Sequence, residues 1–274
     1  MQANRGKVDV NQMKYRYEDA LKNYAESING MDSNPLLINS LWAEAYELFF
    51  TACLFEKDKQ KIARYLLHYV ESSLAVFNMA DNIGKTISFE VAGTVLELTV
   101  PDTSFDISII KWINVFYAAS LLQKHDLLKA ITGIDLNVVQ QKMNSVSEKY
   151  NLQYSIFLQN YYSKNGDASE YLLNASIACS EVSTKSMLYD YMLEIGSPQI
   201  DIFSNILYKK EKMLTDNFEV ALKYFKKHYS GSASKGINDF TGIVSLPLSA
   251  LAGIAQREGL AIEVTSDFII ESFV

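Results

Sequence analysis

The side chains of this 274-residue chain best suited to metal binding or proton transfer near neutral pH are three histidines, His68, His125 and His228, and two cysteines, Cys53 and Cys179. A protein metal centre needs such ligands clustered. Here the histidines fall on different predicted elements, with no paired-cysteine spacing beside them. No Glu-x-x-His pair of a di-iron helical bundle occurs, nor the paired-histidine helix of a metalloprotease. The glycine-rich phosphate loop, the dinucleotide fingerprint and the serine elbow are absent as well. His125-Asp126 is the one place where a histidine stands beside a carboxylate. Neighbours on a helix point about 100° apart, so the pair reads as a polar helix junction rather than as a catalytic dyad. His68 and His228 flank aromatic or lysine-rich stripes and read as partly buried or solvated side chains. No catalytic, cofactor-binding or metal-ligating residue is assigned, and no cofactor is expected.

Composition narrows the partners. The formal charge is −7, which argues against nucleic acid, because phosphate binding needs a concentrated basic surface. A basic protein partner suits the chain better. The runs Lys209-Lys210-Glu211-Lys212 and Lys226-Lys227 read as solvated helix faces, and Glu18-Asp19 and Glu44 with Glu47 as outer acidic faces. The 17 tyrosines and 14 phenylalanines fall mostly at core spacing, which assigns them to packing rather than to a ligand cage. Cys53 and Cys179 sit in apolar helical patterns, as buried thiols of a reducing compartment do. The opening Met1 to Val10 lacks the apolar run of a signal peptide, and no later run approaches the roughly 20 residues needed to span a bilayer. The expectation is a cytoplasmic protein with no membrane contact. Nothing in the residues sets an oligomeric state.

The elements that must position any site are helices. Isoleucine, tryptophan, phenylalanine, tyrosine and leucine at 109, 112, 113, 116, 117 and 121, with Ser120, follow the i, i+3, i+4, i+7 spacing of a broad buried stripe, so the stretch from Phe105 to a polar break at Gln123 to Asp126 should hold a central core helix. Asp102, Thr103, Ser104 and Asp106 precede it as capping candidates. Upstream, helices are expected over Asn11 to Ile28, from Leu36 or Ile38 to about Glu56, and after an Asp58 cap through Phe77, the last two as antiparallel neighbours. The helical pattern breaks once. Ile87, Phe89 and Val91, then Leu96, Leu98 and Val100, alternate with polar residues around Ala92-Gly93-Thr94, predicting a hairpin over about 86–100.

Downstream, Leu127 to Ile131 and an Asp135-capped segment continue the pattern. Leu152 to Tyr162, Ala168 to Glu181 and Met187 to Ile195 follow. Pro198 marks a helix start, leading into Asp201 to Leu214, and Asp216 caps Phe218 to His228. Ser230 to Gly236 reads as a surface loop. Ser245 to Ala255 is a last core helix, and Leu260 to Val264 alternates like a strand able to join the hairpin. The expected fold is a mainly α body of antiparallel helix pairs with a small sheet attached, in a single domain over 1–274 with the hairpin near 86–100 and a C-terminal strand near 260–265. The pairing resembles a solenoid in outline, without a fixed-period repeat.

Three blocks then carry a resemblance. Lys111-Trp112-Ile113-Asn114-Val115-Phe116-Tyr117-Ala118-Ala119-Ser120, running into Asp126-Leu127-Leu128, is similar to a Trp-led helix, polar turn and leucine-rich helix. The hairpin ending at Pro101 and its acidic sequel precede it. Pro247 to Ala252, Arg257-Glu258-Gly259 and Ile262 to Phe268 resemble an alanine-rich helix, a charged glycine turn and a terminal strand. Together they resemble the Imm49 family of immunity proteins from bacterial polymorphic toxin systems over about residues 60–270. Gln256 and Glu258 depart from an Asp-Arg-Gly-like turn, and Ile269-Ile270 stand where a proline is common. The resemblance implies a non-enzymatic protein that binds and neutralises a cognate secreted toxin inside the producing cell. An acidic surface would suit a basic, nuclease-type toxin. It assigns no toxin-binding residue. Two other classes stay open: a helical-repeat adaptor gripping a protein or peptide in a concave groove, and an enzyme of unrecognised type.

Overall fold

The computed structural model describes residues 9–143, 149–230, 239–270 and 273. The surface loop expected at Ser230 to Gly236 lies almost wholly outside these. Helix makes up 70% of the described residues, with one small antiparallel sheet among them, so the mainly α fold is as expected. The helices gather into two compact units, one either side of residue 146.

The N-terminal unit begins with α1 (Val10–Gly30), a 3-10 turn at Pro35–Leu37, α2 (Ile38–Phe55) and α3 (Lys59–Asp81). Only Glu56, Lys57 and Asp58 separate α2 from α3, and so short a joint folds one helix back along the other. Asp58 makes the reversal clean: its carboxylate accepts hydrogen bonds from the amides of Gln60 and Lys61, two donors that the first helical turn leaves unpaired. Leu41, Ala45, Leu48 and Phe49 of α2 and Leu66 and Val70 of α3 are fully buried. Large apolar side chains of this kind contribute about 1.5–3 kcal/mol each by leaving water.

The hairpin follows as β1 (Thr86–Val91) and β2 (Thr94–Thr99), with Ile87 opposite Leu98, Phe89 opposite Leu96 and Val91 opposite Thr94. That register leaves a two-residue turn, Ala92-Gly93, and both residues have positive φ, +54° and +78°. A primed turn requires this backbone, which matches the twist of the strands. The Ala92 amide donates to the Glu71 carboxylate at 2.9 Å, fastening the turn to α3.

Next come α4 (Ile109–Leu121), α5 (His125–Thr132) and α6 (Leu136–Lys142). Burial of α4 is wider than the predicted stripe, because Val115, Ala118 and Ala119 are fully enclosed too. A helix apolar on all sides belongs inside. Trp112 stacks on Phe116 and donates its indole N–H to the Ile131 carbonyl at 2.9 Å, tying α4 to α5. The cap of α4 is Ser108, which accepts from the Lys111 amide, and not one of the side chains at 102–106. A cap must stand immediately before the first helical residue. Asp106 instead pairs with Lys111, whose ammonium lies 4.0 Å above the Trp42 ring.

The C-terminal unit contains α7 (Lys149–Ser163) and α8 (Ala168–Ser180), then α9 (Tyr189–Tyr191), a π-helical turn (Met192–Gly196) and α10 (Ser197–Leu207) in one continuous rod. Pro198 therefore starts no new helix. Proline lacks an N–H and crowds the carbonyl four residues back, and the wider π turn just before it, closed by the Ser197 amide on the Met192 carbonyl, accommodates both defects. After α10 the chain breaks at Tyr208, Lys209 and Lys210, and α11 (Glu211–Ser230) runs straight through Asp216. The break predicted near 215 thus lies farther upstream. It depends on a lysine, Lys209, at φ +54°, a conformation that sequence ordinarily announces with Gly or Asn.

Ser245 caps α12 (Leu246–Arg257). The predicted strand near 260–265 does not form: among the described residues the sheet contains β1 and β2 alone. The stretch keeps alternating burial without forming a strand and leads to Phe268, whose carbonyl accepts from the Ser245 amide at 2.7 Å and whose ring meets Phe225. Its start is tied to α12 by the Leu260 amide on the Ala255 carbonyl at 2.9 Å, and to α11 by the Ala261 amide on Glu211 at 3.4 Å.

Candidate partner-binding groove

Within the N-terminal unit, α3 forms the floor of an open cavity of about 800 Å³, with β1 on one side and α5 and α6 on the other. Leu74, Ala75 and Asn78 recur on the cavity face of α3 at helical spacing, and Phe89, Leu127, Ile134 and Val138 reach in from the walls. Leu74, Phe89, Leu127, Ile134 and Val138 are each only half-buried, and Ala130 is exposed. The hollow is therefore an apolar surface left partly in contact with water.

Its rim is acidic. Glu71, Asp81, Glu90, Asp126 and Asp135 line it, against the single cation Lys129. Asp81 has an ion pair with Lys142 at 3.6 Å. Asp135 caps α6 through the Asn137 amide. Burial pushes the Glu71 carboxyl above its ordinary range; the Ala92 amide works against that rise, the negative charge of Glu90 adds to it, and Lys124 offsets part of it. Glu90 and Asp126 are exposed, and neither has an ion pair with a described residue. The arrangement can receive a cationic, partly apolar group and would repel an anionic one.

The residues singled out by type are scattered. His125 and Asp126 open α5, both exposed, and it is Asp126 as a rim carboxylate that belongs to the groove. His68 lies between α1 and α3, its Nδ1 2.5 Å from the Tyr24 hydroxyl and its ring stacked on the Tyr24 ring. Burial, helped by the nearby Arg64, lowers its pKa to about 4. His228 is buried on α11, with Nδ1 2.8 Å from Glu194 Oε2, while Lys227 holds the other oxygen at 2.8 Å. Burial acts to raise the Glu194 carboxyl, but these two hydrogen bonds outweigh it and hold the group below its ordinary value.

Both cysteines are free thiols, and burial pushes Cys179 up to about 12. Glu44 and Glu47 face α1 rather than solvent, accepting from Ser27 at 2.8 Å and Arg16 at 2.6 Å. Lys209 belongs to a joint, not a helix face: it pairs with Glu258 at 2.5 Å, and Tyr161 donates to the same carboxylate. Among the described residues no three His, Cys, Asp or Glu side chains converge as a metal site, and no helix is long and apolar enough to cross a membrane.

The groove was invisible to motif reading because its parts come from α3, β1, α5 and α6 and share no spacing. The signal that existed was the excess of acid and the amphipathic face of α3.

Compared with known families, residues 56–269 match Imm49, immunity protein 49. The chain belongs to the Imm49 family. The matched span includes every element lining the groove, and it extends to the tail fastened on α12. No curated protein and no solved structure matches the chain. In this Imm49 member the Arg257-Glu258-Gly259 turn forms despite its departure from the expected pattern: Glu258 is held by Lys209 and Tyr161, and Gly259 supplies the φ of +77° that ends α12.

Proposed function

We propose that this Imm49 chain is a non-enzymatic immunity protein that binds a cognate secreted bacterial toxin in the cytoplasm of the cell that makes it, and so neutralises it. The observation that carries this reading is the family match over residues 56–269. Immunity demands a rigid surface complementary to one partner and slow dissociation from it. A core built on the enclosed helix α4 supports the first requirement. The −7 charge favours a basic partner, such as a nuclease-type toxin domain, by speeding encounter. The groove has a hairpin for one wall instead of a stack of equivalent helices, which favours this reading over a repeat adaptor.

Co-expression tests it. The toxin domain encoded beside this chain is expressed in a susceptible host with and without the immunity protein. Restored growth is expected with this chain and not with a distant relative. Undiminished killing in its presence would overturn the proposal.

A further inference from the structure

The groove walled by β1, α5 and α6 is an apolar hollow whose rim is predominantly acidic. Isolated surface acids are commonplace, but here they line, together with half-buried Phe89 and Leu127, one cavity of about 800 Å³. That volume lies in the range of built pockets, about 300–1,000 Å³, and can hold one or two large side chains. After Asp81 is balanced by Lys142, the rim still sets Glu71, Glu90, Asp126 and Asp135 against Lys129, with Lys124 acting on Glu71. An anionic occupant such as nucleic acid would meet like charge.

We propose that this groove is the toxin-docking site and that it takes a cationic amphipathic segment of the toxin, an apolar side chain entering beside Phe89 and Leu127 with flanking Lys or Arg meeting Glu90 and Asp126. The proposal rests on the immunity reading above. Glu71 and Asp135 already serve the Ala92 and Asn137 amides, so Glu90 and Asp126 are the charges most open to a partner. Such a pair should act mainly on association rate and its salt dependence, while the apolar contact should act on dissociation.

The test uses the full chain and the toxin domain encoded beside it, with binding kinetics measured at low and at moderate salt. Three variants are compared: Glu90→Lys with Asp126→Lys; Ala130→Trp, which fills the groove from an exposed helix position; and, as control, Glu18→Lys with Asp19→Lys on the outer face of α1. Circular dichroism confirms that each folds. The double reversal is expected to weaken binding about tenfold or more at low salt and to flatten the salt dependence. Ala130→Trp is expected to speed dissociation with the salt dependence kept, and the control to bind like the unaltered chain. Groove variants that bind as tightly as the control would overturn the docking site while leaving immunity standing. An unaltered chain that neither binds nor rescues would overturn the immunity reading itself. A concentration-dependent dimer dispersed by Ala130→Trp would assign the groove to a second copy of the chain and refute the toxin assignment.

Discussion

His68 should make this protein acid-sensitive in a specific window. Its imidazole sits between α1 and α3 with Nδ1 placed to accept from Tyr24, and burial lowers its pKa from 6.5 to about 4. A histidine that is neutral in the fold and readily charged in the unfolded chain stabilises in full above the unfolded value near 6.5. That contribution is lost progressively as pH falls toward 4, because there the unfolded chain binds the extra proton. At about 1.36 kcal/mol per tenfold change in proton affinity, the drop from 6.5 to about 4 sets a ceiling of about 3.4 kcal/mol. Between pH 7.5 and pH 5 the loss is about 2 kcal/mol. His68→Asn removes the titration and keeps a side-chain oxygen near the position of Nδ1, so the Tyr24 bond survives. Urea unfolding at several pH values should show the unaltered protein losing about 2 kcal/mol more than the variant over that interval, with the carboxylates' contribution common to both. Parallel stability curves would refute the argument, since they would mean that His68 titrates alike in both states.

Other expectations follow from single backbone positions. Ala92 occupies the left-handed region at φ +54°, which costs a residue with a Cβ about 1–2 kcal/mol; Ala92→Asn, better suited to a primed turn, should stabilise the N-terminal unit by about 1 kcal/mol in the same assay. Gly196 in the π turn faces Tyr150, where an added Cβ would lie 2.8 Å from the ring carbon Cε2, so Gly196→Ala should cost about 1–3 kcal/mol, read as a lowered thermal midpoint.

The helical body was legible because its signals are local. Asp58 announces the start of α3, and the apolar spacing of 109–121 announces α4. The hairpin was legible for the same reason, since alternation and Ala92-Gly93 need no distant information. What escaped depends on partners remote in sequence. Leu260 to Val264 has strand-like alternation, but alternation only says that one side is buried; whether a strand forms depends on a hydrogen-bonding partner, and the stretch pairs with neither β1 nor β2. Lys209 could not be read as a helix break, because lysine carries no preference for positive φ. The groove escaped most completely. Glu90 and Asp126 are 36 residues apart in sequence and individually unremarkable, and only the fold brings them to one rim.

The π turn at Met192–Gly196 has a consequence for how this rod can change over time. An α-helix advances about 100° per residue, so the additional residue taken up by a π turn throws the side chains before it out of phase with those after it. Tyr191, which meets the His228 ring edge-on at 5.8 Å, and Glu194, which grips that histidine and its lysine neighbour, owe their aim to that offset. Deleting one residue here would restore regular hydrogen bonding while swinging Tyr191 away and driving the Pro198 ring against a carbonyl. The length of this stretch is therefore constrained more tightly than its composition: substitutions can be absorbed one at a time, but a one-residue gap in a descendant sequence would have to arrive together with replacement of the proline and a new arrangement around His228.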